Sequence, residues 1–268
     1  MRWEGVRVLA VAAGAIVGGC QLAVETTGLS SGGTGIDAGA NIDAGESSGG
    51  TCLTISVDPS SGGGPVTPLD SRWIVQGSAT IDGPALRLTN DQQQFGAIWW
   101  DERVTFGDFH VTATFRMQAP DAQNIADGFT FVWVRGAVPA PGEPGGGLGV
   151  EGLDGWAVAI DLFANHDHPF MAAAPYVAVL DTKKSVAERT LVARTVPFPI
   201  TDGEDHVLAV TMQSGEVSVS VDQSRLIERF VVPGYAPFTG HFGFTATTGA
   251  GVTIQRLVRA AMTAGDCP

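Results

Sequence analysis

The chain has 268 residues, a net charge of −13 and only 15 lysines and arginines. That balance supplies no basic stripe to neutralise phosphates, so nucleic acid is excluded as a partner. Cations and neutral ligands stay compatible, and 36 glycines suit a protein with many turns.

The first element in chain order is a leader. Arg2 and Arg7 precede the apolar run Val8 to Val17, and Val17-Gly18-Gly19-Cys20 follows. A charged start, a short apolar stretch and small residues mark an export signal over residues 1–20, too short to span a bilayer as a mature helix. A cysteine after two glycines resembles the bacterial lipobox, which implies lipidation of Cys20 and a membrane anchor; simple cleavage is the alternative. Gln21 rather than aspartate after that cysteine implies the outer membrane. Residues 21–51 are rich in Gly, Ser and Ala with almost no large apolar side chain. Such a segment cannot bury enough surface to offset its chain entropy, so a flexible tether is expected.

Residues 52–268 are of a length suited to one all-β domain. Segments 78–89, 96–106, 110–117, 128–134, 155–163, 176–180, 206–212, 216–222 and 241–248 alternate apolar and polar residues with a period of two. They are rich in Val, Thr, Phe and Trp, and Gly, Pro and Asp separate them. No stretch carries a helical period. The expected architecture is all-β, two antiparallel sheets packed face to face as a sandwich or jelly roll. In Trp99-Trp100 the rings must face opposite ways, and core packing on both sides is the expected outcome. If Cys20 carries lipid, Cys52 and Cys267 are the remaining thiols, one at each end of the domain. A bridge between them would need the terminal strands to be neighbours and could contribute about 3–5 kcal/mol in the chain-entropy model. Two unpaired cysteines are the alternative.

The stretch Asp161-Leu-Phe-Ala-Asn-His-Asp-His-Pro169 concentrates polar groups at the end of an expected strand. Asp161, Phe163 and Asn165 lie at i, i+2 and i+4. A carboxylate, a main-chain carbonyl and an amide oxygen from one bend suit calcium, a hard cation with oxygen ligands at about 2.3–2.6 Å. From these residues alone a polar strand end with Asn165 in a turn fits equally well. His166 and His168 could serve a transition metal, but loop histidines beside Asp and Pro are more often solvated.

Four segments, GSATIDGPALRLTN, NIADGFTFVWV, GGGLGVEGLDGWAVAIDLFAN and HFGFTATTGAG, occur in an order and on strand types that resemble the L-type, legume-like lectins. The resemblance covers most of residues 72–255, and bacterial lipoprotein members are the nearest comparison. It implies a Ca2+ site from Asp161, the Phe163 carbonyl and Asn165, with Asp167 as a further carboxylate and Asp181 a weaker candidate. It also implies a glycan site. Asp127, after a cis peptide from Ala126, would accept sugar hydroxyls, and Gly146 and Gly147 would donate backbone N–H groups. Asn165 would share its amide, Phe163 would stack on the sugar, and Gly249-Ala250-Gly251 would close the pocket. Plant members hold a second metal with a glutamate and a histidine; the matching positions here are Ala159 and Tyr176, so that metal is not expected.

An enzyme is the rival class. Sandwich glycosidases alternate carboxylates along one strand, where this chain has Ala159, Asp161 and Phe163. No G-x-S-x-G or Ser/His pairing is present, and His206 and His241 are expected at ordinary surface or edge positions. A non-catalytic, calcium-organised glycan-binding lipoprotein is therefore the expectation. An envelope interaction module that has lost sugar binding is the alternative.

Overall fold

The computed structural model describes residues 53–58, 71–163 and 173–265. The expected leader, the tether, Cys20, Cys52 and Cys267 lie outside the described residues. What is described is all β: sixteen strands in two antiparallel sheets and no helix among the described residues.

The back sheet contains β1 (Leu53–Val57), β3 (Thr80–Asp82), β4 (Ala85–Thr89), β7 (Phe109–Gln118), β12 (Asp202–Gln213), β13 (Glu216–Val221), β14 (Ser224–Val231) and β16 (Ile254–Ala264). Its order is β14-β13-β12-β7-β16-β4-β3, with β1 also on β16. The front sheet contains β2 (Trp73–Gly77), β5 (Phe95–Trp100), β6 (Val104–Phe106), β8 (Gly128–Arg135), β9 (Gly155–Asp161), β10 (Tyr176–Asp181), β11 (Thr190–Thr195) and β15 (Phe238–Thr247). Its order is β11-β10-β9-β8-β15-β5-β2, with β6 also on β15. This is the jelly-roll sandwich expected from the period-two pattern.

The strands absent from the sequence reading are β1, β2, β11, β14 and β16. In β16, Ala260, Ala261 and Ala264 with Arg256 and Arg259 are weak strand formers, and a register shift between Leu257 and Arg259 breaks the alternation. In β14 the backbone at Arg229 has φ 46° and the register against β13 shifts twice, so its side chains do not alternate cleanly. These strands are held by their neighbours more than by their own composition. The terminal strands are adjacent, Leu53 opposite Ala264. That adjacency is the condition the expected Cys52–Cys267 bridge requires.

The interior between the sheets is strongly aromatic. Phe115 stacks on Phe129 at 5.4 Å, Phe129 on Phe244 at 5.9 Å, and Phe109 meets Trp133 edge-on at 5.4 Å. Each such ring, buried from water, contributes roughly 2–3 kcal/mol. A smaller core lies on the other face of the front sheet, beneath the loop that carries Leu148 and Val150. Because both its faces are covered, β9 is buried along its whole length. Trp100 joins the main core and Trp99 the smaller one, so both rings are buried on opposite sides.

His206 and His241 depart from the expected exposed positions, since both are buried. His241 Nδ1 donates to the Trp100 carbonyl at 3.1 Å. His206 lies between Asp222 (2.6 Å) and Asp202 (3.1 Å) and stacks on Phe115. Burial opposes its charge, but the two carboxylates prevail and raise its pKa. A strand-start histidine reads as exposed only while the partners brought by β7 and by the turn between β13 and β14 are unknown.

Candidate functional site

The outer face of the front sheet sets the site. Phe95, Thr247, Gly128, Asp161 and Tyr176 stand side by side across five strands. The next row is Ala97, Thr245, Thr130, Ala159, Ala178 and Ala193, all small. Small residues let the loop 142–153 settle close to the sheet. At Gly128 a Cβ would lie 2.4 Å from the Ile160 carbonyl oxygen, and at Gly149 (φ +68°) 2.4 Å from the Phe95 ring. Only glycine permits those approaches.

Asp127 leads into β8 on a cis peptide from Ala126, as the resemblance implies. Its N–H donates to the Thr247 carbonyl at 3.0 Å, and its own carbonyl accepts the Leu162 N–H at 2.7 Å. Behind it, buried Gln255 donates through Nε2 to the same Thr247 carbonyl at 2.8 Å. The Asp127 side chain is 6 % exposed, and Oδ2 has no hydrogen-bond partner among the described residues. Burial pushes its carboxyl up to about 6.

Asp161 ends β9 and is 2 % exposed. Oδ1 accepts the Phe163 N–H at 3.0 Å, and Oδ2 accepts the Tyr176 hydroxyl at 2.9 Å. Burial pushes this carboxyl up to about 6; the two hydrogen bonds and Arg189 pull it down, and the charge of Asp127 adds to the rise. Tyr176 therefore occupies the place opposite Asp161 where a second metal's histidine was sought, and burial beside that carboxylate raises its own pKa. Phe163 is 46 % exposed, at the rim where a stacking ring would stand.

Asn165, His166, Asp167 and His168 lie outside the described residues. Asp181 is a correction. It stands opposite Trp156, while Tyr176 stands opposite Asp161, so the length of β10, about 16 Å, separates Asp181 from the site. Its carboxylate instead accepts the Lys183 N–H at 3.2 Å and faces Lys184 at 3.6 Å.

The closing loop is well anchored. Gln93 N–H donates to the Gly249 carbonyl (3.0 Å), and Gln92 Nε2 and Asn124 Nδ2 donate to the Ala250 carbonyl (2.6 and 3.4 Å). A Cβ at Gly249 would sit 3.1 Å from Asp127 Oδ2, and one at Gly251 would sit 2.8 Å from the Asn124 carbonyl oxygen. Asp127, Gly249 and Ala250 are thus brought together. Gln92 and Asn124 were not foreseen; as polar residues in turns they carry no pattern of their own.

Arg189 was also not foreseen. It is fully buried, and its Nη1 and Nη2 donate to the carbonyls of Gly147 (2.8 Å) and Gly146 (2.6 Å). Burial lowers its pKa, opposed by Asp161, Glu151 and Tyr176. Gly146 and Gly147 do lie against the site, but it is their carbonyls whose partner is seen.

Among the described residues no three His, Cys, Asp or Glu side chains converge as a metal cluster. The groups present still suit a hard cation. Asp127 and Asp161 are buried carboxylates, the charge of Asp127 adds to the rise at Asp161, and one Asp127 oxygen is unpartnered among the described residues.

The legume-like lectin family profile matches residues 57–258. The chain belongs to the legume-like lectin family. Among solved structures, this lectin is similar to the VIP36 exoplasmic/lumenal domain in its Ca2+-bound form, at 22 % identity and TM-score 0.62, covering 77 % of this chain and 88 % of that one. Peanut lectin with a 9mer peptide matches at 19 % identity and TM-score 0.62, covering 81 % and 100 %. Basic winged bean lectin with Tn-antigen matches at 17 % identity and TM-score 0.63, covering 80 % and 100 %. At these identities the likeness shows the fold. No curated protein matches the lectin's sequence.

Proposed function

We propose that this legume-like lectin binds glycan without catalysis, at a site over Asp127 that calcium organises. The observation that carries the reading is Asp127 itself: a buried carboxylate on a cis peptide, one oxygen unpartnered among the described residues, facing Gly249 of the closing loop. A carboxylate accepts hydrogen bonds only, and sugar hydroxyls are the donors it lacks. Asp161, the Phe163 carbonyl, Asn165 and Asp167 would hold the ion, which supplies fixed positive charge beside the two carboxylates. Phe163 at the rim offers a ring to the sugar's C–H face, and Gly146 and Gly147 offer N–H groups. A related VIP36 domain was solved in a Ca2+/Man2-bound form, which supports the assignment by analogy.

The absence of catalysis is read from the strand that ends the site. Ala159 and Asp161 provide no carboxylate pair at the spacing glycoside hydrolysis needs. At the N-terminus, lipidation of Cys20 would tether the domain to the outer membrane through residues 21–51, with Cys52 and Cys267 bridged. Palmitate labelling lost in Cys20→Ala tests the anchor.

A glycan array tests the site. Wild type binds at least one glycan, and Asp127→Asn, which keeps shape but turns an acceptor into a donor, loses binding about a hundredfold or more. Retained binding by Asp127→Asn overturns the reading. The envelope interaction module is the second reading, favoured by the near-complete burial of Asp127 and by the Tyr176 hydroxyl on Asp161. Calcium binding with no glycan bound by wild type would select it.

A further inference from the structure

We infer that Arg189 is a positioning residue of the glycan site, whose guanidinium turns the Gly146–Gly147 peptide so that the Gly147 N–H is presented to a sugar oxygen. The inference rests on the glycan-binding reading above. It begins with how firmly Arg189 is itself held. Its N–H donates to the Ser185 carbonyl at 2.9 Å, and its carbonyl accepts from the Asp181 N–H at 2.8 Å. From that fixed point the side chain runs, fully buried, beneath the glycine loop. A planar guanidinium holds two donors in a fixed fork that grips two successive carbonyls, whereas a lysine ammonium is a point charge with no such fork.

Four consecutive carbonyls of the loop accept from donors beneath or within it. Gly145 O accepts from Thr247 Oγ1 at 2.9 Å, and Leu148 O from Thr245 Oγ1 at 2.8 Å. Between them, Gly146 O and Gly147 O accept from Arg189 at 2.6 and 2.8 Å. A trans peptide is planar with its C=O and N–H pointing in opposite directions. Drawing the Gly146 oxygen down onto Arg189 therefore turns the Gly147 N–H away from it. The other peptide Arg189 grips has its N–H spent inside the loop, Leu148 N–H donating to Gly145 O at 3.0 Å. The Gly147 N–H has no hydrogen bond among the described residues. It is the one donor this grip leaves for an external acceptor.

The position also suits a donor to sugar. Thr247, which holds Gly145, is the residue whose carbonyl holds the Asp127 N–H, so one strand end sets both the acceptor and the donor. The buried guanidinium behind the peptide adds positive potential, which strengthens an N–H donor toward oxygen. Asp161 and Glu151 lie close enough to offset its charge, and its burial is thereby compensated in part. A guanidinium with no role in the loop would be a costly way to fill that space.

The test uses the intact protein with calcium present, the best monosaccharide from the array and its monodeoxy analogues. In wild type, removing the hydroxyl that faces Gly147 weakens binding about tenfold. Arg189→Lys and Arg189→Met weaken the parent sugar about tenfold and lose that discrimination, so parent and deoxy analogue bind alike, while the penalties for the other hydroxyls persist. Unchanged discrimination at every hydroxyl in a folded Arg189→Lys overturns the inference. A wild type that binds no sugar instead sinks the glycan reading. In that case amide exchange still decides the positioning claim. Residues 145–148 should exchange at least tenfold faster in Arg189→Lys, with β8 and β15 unaltered; equal loop exchange overturns it.

Discussion

The two faces of the front sheet are built from opposite materials. The inner face carries Phe129, Phe131, Trp133, Phe242 and Phe244, packed against the back sheet, and the Trp133 indole N–H is their one polar group. The outer face has Phe95, Trp99 and Tyr176 toward its edges, but its middle carries Ala97, Ala157, Ala159, Ala178 and Ala193, with threonines that reach up to loop carbonyls. One face obtains stability from apolar area. The other gives up area so that a glycine loop can lie against the sheet and place polar groups over it. The difference teaches where substitution should cost folding and where it should cost binding.

The largest effect is expected on the inner face. Phe131→Ala removes a fully buried ring and should cost about 3–5 kcal/mol, read as a fall in the denaturant midpoint with an unchanged slope. Binding per folded molecule should survive. On the outer face, Ala159→Val adds volume beneath the loop and should cost about 1–3 kcal/mol. Its mark would be a loss of glycan binding out of proportion to that destabilisation. Equal losses of binding from the two variants would erase the distinction between the faces.

The polar end of the outer face predicts a pH dependence with a definite sign. In the metal-free protein Asp127 and Asp161 have pKa values raised to about 6, above their unfolded value. The folded state then holds protons that the unfolded state has released. That contribution is complete below about 4 and is lost as pH rises through about 6. The raised pKa of His206 acts in the same direction, lost as pH rises through its folded value. Asp202, whose pKa is lowered, opposes only at acid pH, its contribution disappearing as pH falls below the usual carboxylate range. Asp161 should therefore make metal-free protein more stable at pH 5 than at pH 7.5 by about 1.4 kcal/mol, opposed in part by His110, whose pKa burial lowers. Calcium should remove most of that difference, because it stabilises the ionised carboxylates. A thermal midpoint that rises between pH 5 and 7.5 without metal contradicts this.

The smallest effect sharpens the role of Tyr176. Tyr176→Phe deletes one hydrogen bond to Asp161 and should cost about 1 kcal/mol. It should also move to higher pH the point at which the Asp161 contribution of the metal-free protein is lost, since that bond favours the ionised carboxylate.

Much of this was legible in the sequence, for identifiable reasons. The period-two runs of Val, Thr and Phe marked the strands of the centre, where both burial and composition agree. β14 and β16 were missed because bulges and alanine-arginine composition hide a strand that its neighbours impose. At the candidate site, Asp127 and Asp161 stood out in the sequence because their flanking residues resemble a known family. Asp181 was misplaced because the reading had no register, and register puts it at the wrong end of β10. Arg189 and Gln92 were invisible: each acts through a backbone carbonyl more than forty residues distant, and no local pattern reports such a partner.

Calcium titration of the purified domain by calorimetry tests the central claim most directly. One ion per chain is predicted for wild type and none for Asp161→Asn. No binding to wild type, or equal binding by both proteins, would contradict a calcium-organised site at Asp161.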